Sequence, residues 1–367
     1  MKRPSTKHER PRTENQEPTS YTMPDVSKPF DAVLLIAFGG PQRRDDIRPF
    51  LQNVVRGRKI PPERLEDVAR HYERLGGVSP ITELTMRQAN GLAATLAARD
   101  LPLPVYVGMR NWHPLLVETL DAMARAGVRR AIGVIAAAHR SYSSCGQYRQ
   151  NVLQAQEALV AAHREAPRLF YTSDWHAHPG FVRAAAEGVR AARATLPDAL
   201  AEHTRVVFTA HSIPSHMAHA DTYTRQLQES ARLVAEELGL DRERWDVAYQ
   251  SRSGRPNDPW LEPDINGYLR TAQREGVRSV VVSPLGFACD HIEVLYDLDH
   301  EARATCKELG MIMARATAVN DHPAFLDALA DAVCATYECY RRGIPLALFD
   351  AEHPTAQELA PPATVTR

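Results

Sequence analysis

Eight short runs rich in β-branched and aliphatic residues alternate with longer helical patterns, and this alternation limits the chain to few architectures. The runs are 31–38 (DAVLLIAF), 104–109 (PVYVGM), 130–137 (RAIGVIAA) and 168–174 (RLFYTSD), then 204–211 (TRVVFTAH), 245–251 (WDVAYQS), 278–287 (RSVVVSPLGF) and 311–317 (MIMARAT). Helical patterns at 81–98, 115–126, 146–164, 180–196, 222–238 and 323–341 fill the gaps. Such alternation predicts an α/β fold of parallel sheets with helices on both faces, joined by right-handed crossovers. Two sets of four strands predict two similar halves. Residues 33–41 (VLLIAFGGP) and 206–214 (VVFTAHSIP) share Val, Ala and Pro at matching places, which points to duplication. Open α/β sheets bind ligands outside the carboxyl ends of their strands, so two facing halves would enclose a cleft. Arg110 to His113, His139, Trp175, His176, His211, Ser251 and Asp290 to Glu293 all stand at such ends.

A length of 367 residues suits two domains, here 29–175 and 176–345. Residues 1–28 carry four prolines and almost no large aliphatics, so they read as a disordered extension without the apolar core of a secretory signal. The Pro- and Ala-rich stretch 346–367 reads as a flexible tail. Lys and Arg number 44 against 45 Asp and Glu, a balance that argues against nucleic acid as partner. No apolar run approaches the ~18 residues of a transmembrane helix. Five scattered cysteines suit a reducing cytoplasm better than a disulfide scaffold.

The chain has no GxGxxG, P-loop, GxSxG, HExxH or CxxC pattern, so the fold class alone assigns no chemistry. Two features remain. In 290–301 (DHIEVLYDLDHE), Glu293, Asp297 and Glu301 fall at i, i+4 and i+8, one stripe of a helix. On a generic helix that is a solvated face. Here Ile292, Leu295 and Leu298 make the opposite side apolar, and the segment begins at a strand end. Oxygen ligands in a row without thiolates suit a divalent cation that is passed along rather than trapped. His211 closes the fifth strand, where a neutral imidazole can bind Fe²⁺ or accept a proton. A lone histidine is more often structural, and only its place at the cleft favours a role.

The chain as a whole resembles the ferrochelatases, which insert Fe²⁺ into a porphyrin. The matching segments are LLIAFGGP (34–41), RGRKIPPERL (56–65), HYERLGGVSPI (71–81), YVGMRNWHP (106–114), YSSCGQYR (142–149), FTAHSIP (208–214), YQSRSG (249–254), PWLEPD (259–264) and CDHIEVLYDLDHE (289–301). The resemblance implies two Rossmann-like domains with the porphyrin in the cleft between them and the last helix packed back on the first domain. It implies that His211 is the catalytic histidine, with Glu293 its acidic partner across the porphyrin plane. Asp297 and Glu301 continue the metal path, so that the implied metal set is His211, Glu293, Asp297 and Glu301. Phe38, Arg56, Ser79 and Tyr148 fall at porphyrin-contacting positions.

The polar stretch 41–59 (PQRRDDIRPFLQNVVRGRK) resembles the bacterial branch that acts on coproporphyrin III, whose four propionates Arg56, Arg58 and Lys59 could pair with. Protoporphyrin IX is the alternative substrate, and a non-catalytic tetrapyrrole carrier or a cobalt or nickel chelatase the alternative protein. Some members of the branch carry an iron-ligating tyrosine where Phe38 stands, and a phenyl ring cannot ligate. Other relatives bind a [2Fe–2S] cluster. Cys145, Cys334 and Cys339 fall one short of the four thiolates it needs, so Fe²⁺ is expected as substrate and no cluster as cofactor. The resemblance leaves a downstream heme-pathway enzyme as a further partner to consider.

Overall fold

The computed structural model describes residues 28–57, 60–201, 203–253 and 258–343. The expected extension up to residue 27, the tail from residue 346, and Arg58 and Lys59 lie outside them. Eight strands form, where the apolar runs place them. They are β1 (Ala32–Ala37), β2 (Val105–Met109), β3 (Arg130–Ile135), β4 (Arg168–Tyr171), β5 (Arg205–His211), β6 (Trp245–Gln250), β7 (Ser279–Ser283) and β8 (Ile312–Arg315). They make two four-stranded, wholly parallel sheets of the same topology, β2-β1-β3-β4 and β6-β5-β7-β8. β1 and β5, whose sequences align, hold the same place in the two orders.

Both faces of each central strand are covered, which is why the strands read as unbroken apolar runs. In β1, Val33, Leu35 and Ala37 face one core, and Ala32, Leu34 and Ile36 the other. In β7, Val281 faces the first of these cores, while Val280 and Val282 face a third. The first core is common to both sheets. It joins β1 and β5 through the helices Ile81–Ala97, Pro179–Arg193, Ala220–Glu237 and Pro323–Arg341.

The helices that follow β4 and β8 begin alike. His178 precedes Pro179 and its ring accepts from the Gly180 amide at 3.1 Å, and His322 precedes Pro323 and accepts from Ala324 at 3.2 Å. Proline fits the first helical position because its missing N–H would be unpaired there. This second matched pair of segments is what duplication produces. The final helix, Pro323–Arg341, lies against the first half: Arg99 pairs with its Asp327 at 2.7 Å and its Asp331 at 2.6 Å, and Tyr340 packs edge-on against Phe30 and Phe170.

Candidate active site

β1 ends in Phe38-Gly39-Gly40-Pro41, and packing dictates both glycines. Gly39 sits at φ +82°, and a Cβ there would meet Met109 and the Trp112 amide at 3.1 Å. A Cβ on Gly40 would lie 2.7 Å from that of Ser79. Ser79 is buried and donates its amide to the Pro41 carbonyl at 2.8 Å, so this turn and the start of helix Ile81–Ala97 form one piece. Phe38 is half-buried beside a cluster of Ile47, Phe50, Leu51, Ala69 and Tyr72, which also takes in Ile292 from the second half. The Arg110 guanidinium lies 5.6 Å from the Phe38 ring centre and 4.7 Å from that of buried Tyr148. It donates to Asn151 at 2.7 Å and Gln147 at 3.1 Å, which fixes it between the rings. Arg56 is exposed and donates to Asn53 at 2.5 Å.

On the other side, His211 closes β5 half-buried, with Nδ1 2.5 Å from the Ser212 carbonyl. A carbonyl can only accept, so Nδ1 carries the proton and Nε2 keeps its lone pair in the neutral ring. The buried Tyr223 hydroxyl donates to the His211 carbonyl at 2.9 Å and holds this end of the strand.

The acidic segment differs from the regular helix that its spacing predicts. One α-turn, Ile292–Val294, gives way to a π-helix over Leu295–Ala302 and then to an α-helix at Arg303–Glu308. In an α-helix each i+4 step overshoots a turn by about 40°. The wider i→i+5 turn lowers the rotation per residue and so changes that offset for Asp297 and Glu301. The buried side also changes: Ile292, Val294, Tyr296, Leu298 and Ala302 are buried, and Leu295 is only half so. Tyr296 stacks on His71 at 3.8 Å and 9°, so the helix Pro62–Arg74 caps the segment. Burial and the neighbouring Glu293 together hold the Tyr72 hydroxyl far above its ordinary pKa.

Exposure rises along the acids. Glu293 and Asp297 are half-buried and Glu301 is exposed, and among the described residues none of the three has a cation in ion-pair range. Burial, reinforced by Glu293 and Glu301, pushes Asp297 up to about 7 against the hydrogen bonds it accepts from Ser251 and Gln250. Ser251 reaches it from a left-handed backbone at φ +61°, a strained conformation of the kind found at working sites. Burial, helped by Asp264, raises Glu301 as well.

His291 falls within the strand-end set 290–293 that the sequence places at the cleft, but nothing there gives it a role. Burial lowers the pKa of its ring, against the opposing pull of Glu293 and Asp290 and with a smaller push from His211. In the sequence it is one polar residue among several in DHIE, and nothing there separates it from Asp290.

The structure thus brings Asp297 within electrostatic reach of Glu293 and Glu301, and it joins Phe38 to Tyr148 through Arg110. The cysteines singled out in the sequence sit on different elements. Cys145 sits in a π-turn, Tyr142–Gly146, its thiol raised by burial and donating to the Ser141 carbonyl at 3.4 Å. Cys334 and Cys339 lie on the last helix. Among the described residues no three His, Cys, Asp or Glu side chains gather as a metal cage, and no helix is long and apolar enough to cross a membrane.

The chain is 45% identical over 307 residues to the coproporphyrin III ferrochelatase of Mycolicibacterium smegmatis, covering 83% of this chain and 89% of that one. It is 44% identical to the coproporphyrin III ferrochelatase of Streptomyces coelicolor over 85% of this chain and 87% of that one. The ferrochelatase of Rhodopirellula baltica is 43% identical over 83% and 86%. The solved structure of SirB from Bacillus subtilis with Fe3+ shares the fold, at a TM-score of 0.50, 12% identity and coverage of 84% and 96%. The ferrochelatase family model matches residues 30–337, and with the relatives above it places the chain in the ferrochelatase family.

Proposed function

We propose that this protein inserts Fe²⁺ into coproporphyrin III, releasing the two pyrrole protons. The observation that carries the proposal is the acid line itself: half-buried Asp297 lies within electrostatic reach of Glu293 and exposed Glu301, on the segment that follows β7, the neighbour of the strand that His211 closes. A flat free-base porphyrin carries two inner N–H groups and directs its lone pairs into the ring plane. Insertion needs the ring bent and both protons removed. Contacts of the ring edge and carboxylates can hold a substrate strained by about 1–5 kcal/mol. The Phe38, Arg110 and Tyr148 wall and the Gly40–Ser79 turn supply the rigid side for that.

His211 presents a free Nε2 to the ring face and takes the first pyrrole proton. Glu293, with the ring of His291 beside it, takes part in the second transfer. Asp297, near half-ionised at neutral pH, exchanges its proton for the incoming cation, and Glu301 meets that cation at the surface. The named substrate of the bacterial relatives and the exposed Arg56 support the four-propionate porphyrin. The cysteines take no part in this reading, and the absorption spectrum of anaerobically purified protein, expected without iron–sulfur bands, checks that.

The experiment is anaerobic Fe²⁺ insertion with coproporphyrin III and protoporphyrin IX in parallel, followed by absorption. Faster turnover of coproporphyrin III is expected. A preference for protoporphyrin IX would overturn the substrate, and tight binding of both without insertion would overturn the activity.

A further inference from the structure

The π-helical pattern is rare, mostly limited to single turns and frequent at functional sites, so a run of eight residues calls for contacts that hold it. Arg315 supplies one. It is the last residue of β8, and its side chain is 12% exposed. Its Nε donates to both carboxylate oxygens of Asp299 at 3.0 and 2.9 Å, and its Nη1 donates to Asp290 Oδ1 at 2.8 Å. One planar guanidinium therefore ties the entry of the acidic segment to its middle, with His291, Glu293 and Asp297 in the span between.

The entry is tied a second time. Asn320 donates to Asp290 Oδ2 at 2.9 Å and accepts from the Asp290 amide at 2.9 Å. Gln88, fully buried on the first half's helix, donates to the carbonyls of Asn320 at 2.7 Å and Ala288 at 3.0 Å. The chain of bonds runs from the first sheet's helix to the head of the acid line.

The charges sort themselves accordingly. Residues 290–301 hold five carboxylates. Arg315 engages Asp290 and Asp299 and leaves Glu293, Asp297 and Glu301 without a described cation. We propose that Arg315 is a positioning residue for iron handling: its fork, held between Asp290 and Asp299, sets the geometry of the acid line without touching metal or porphyrin. The inference rests on the iron-insertion reading for its functional part, and on geometry alone for its structural part.

Four proteins test it: wild type, Arg315→Lys, Arg315→Met and Asp299→Asn, each read by hydrogen–deuterium exchange, coproporphyrin III binding by fluorescence, and Fe²⁺ insertion kinetics. Arg315→Met is expected to speed amide exchange over 291–302 and lower kcat/KM for Fe²⁺ by about 10–100-fold, the usual cost of removing a residue that orients metal ligands. Its coproporphyrin III affinity is expected to stay at the wild-type value. Arg315→Lys keeps the charge but cannot span both carboxylates, so it falls between. Asp299 is 32% exposed, and Asp299→Asn reports on the same clamp where Arg315→Met fails to fold. Wild-type exchange and Fe²⁺ kinetics in Arg315→Met, or in Asp299→Asn where only that variant folds, would overturn the proposal. So would equal losses of porphyrin and iron handling with no rescue by lysine. Wild type that inserts no iron would refute the proposed function instead, while the exchange data still decide the clamp.

Discussion

Asp297→Asn should make the protein more stable and a poorer enzyme, and the gain should depend on pH. The replacement keeps the shape and an oxygen to accept from Ser251 and Gln250, and removes only the charge. Burial and the two flanking carboxylates raise Asp297 from 3.8 to about 7 on folding. A carboxyl whose pKa rises on folding contributes fully below its unfolded value, and its contribution is lost as pH climbs through the folded value. Three units at 1.36 kcal/mol each give about 4 kcal/mol as the ceiling of the cost. By linkage that cost is roughly 0.5 kcal/mol at pH 4 and roughly 3 kcal/mol at pH 6, levelling near 4 kcal/mol by pH 8. Thermal melts of both proteins across that range, free of divalent cations, should show the variant's Tm advantage grow with pH to several degrees. Added Fe²⁺ under anaerobic conditions should raise the wild-type Tm and leave the variant nearly unmoved, because only the carboxylate exchanges a proton for the cation. A flat difference across pH, or a variant less stable than wild type at pH 8, would refute the reasoning, since it would mean the Asp297 charge is compensated in the fold.

Three further outcomes are expected. His211→Ala should lower iron insertion by about 10²–10⁴-fold, the range of a positioned proton acceptor, with coproporphyrin III binding retained; normal turnover would remove His211 from the reaction. Arg110→Leu gives up contacts with both the Phe38 and Tyr148 rings, each worth about 0.5–2 kcal/mol, so the porphyrin KM should rise several-fold with a smaller change in kcat, and an unchanged KM would contradict the wall. Gly40→Ala places a Cβ 2.7 Å from Ser79 Cβ and should cost about 1–3 kcal/mol in chemical denaturation, partly recovered by adding Ser79→Gly; additive losses would show that the two residues do not collide.

The parallel strands were legible because a strand covered on both faces must be apolar throughout, as Val33 to Ala37 are. The helix Pro62–Arg74 escaped notice among its charges, although Leu65, Val68, Ala69 and Tyr72 stand at i, i+3, i+4 and i+7 and do form its packed face. That pattern was readable, and it would have found the element that caps the acid line. The helix Ile265–Arg274 was readable too, from the Asp264 cap that accepts from Asn266 at 2.9 Å. The π-helix was not. No local residue choice separates an i→i+5 turn from an α-turn in LYDLDHEA. Contacts distant in sequence accompany it: His71 on Tyr296, Ser251 and Gln250 on Asp297, Arg315 on Asp299. His291 is hidden for the same reason, since its role depends on what faces it.

Net charge conceals the most informative electrostatic feature of the molecule. A chain at −1 looks neutral, yet its arginines are distributed so that Asp290 and Asp299 are paired and the three acids between and beyond them are not. An unpaired, half-buried carboxylate holds a proton more readily than one in water. Burial, Glu293 and Glu301 raise Asp297 to about 7, so this carboxyl is partly protonated at neutral pH. On the proposed function, a cation entering by Glu301 would displace that proton outward, ahead of the two that the porphyrin must lose. Proton release thus begins with metal entry and ends with ring metallation, and acidification should slow the first step through Asp297 before it touches the second.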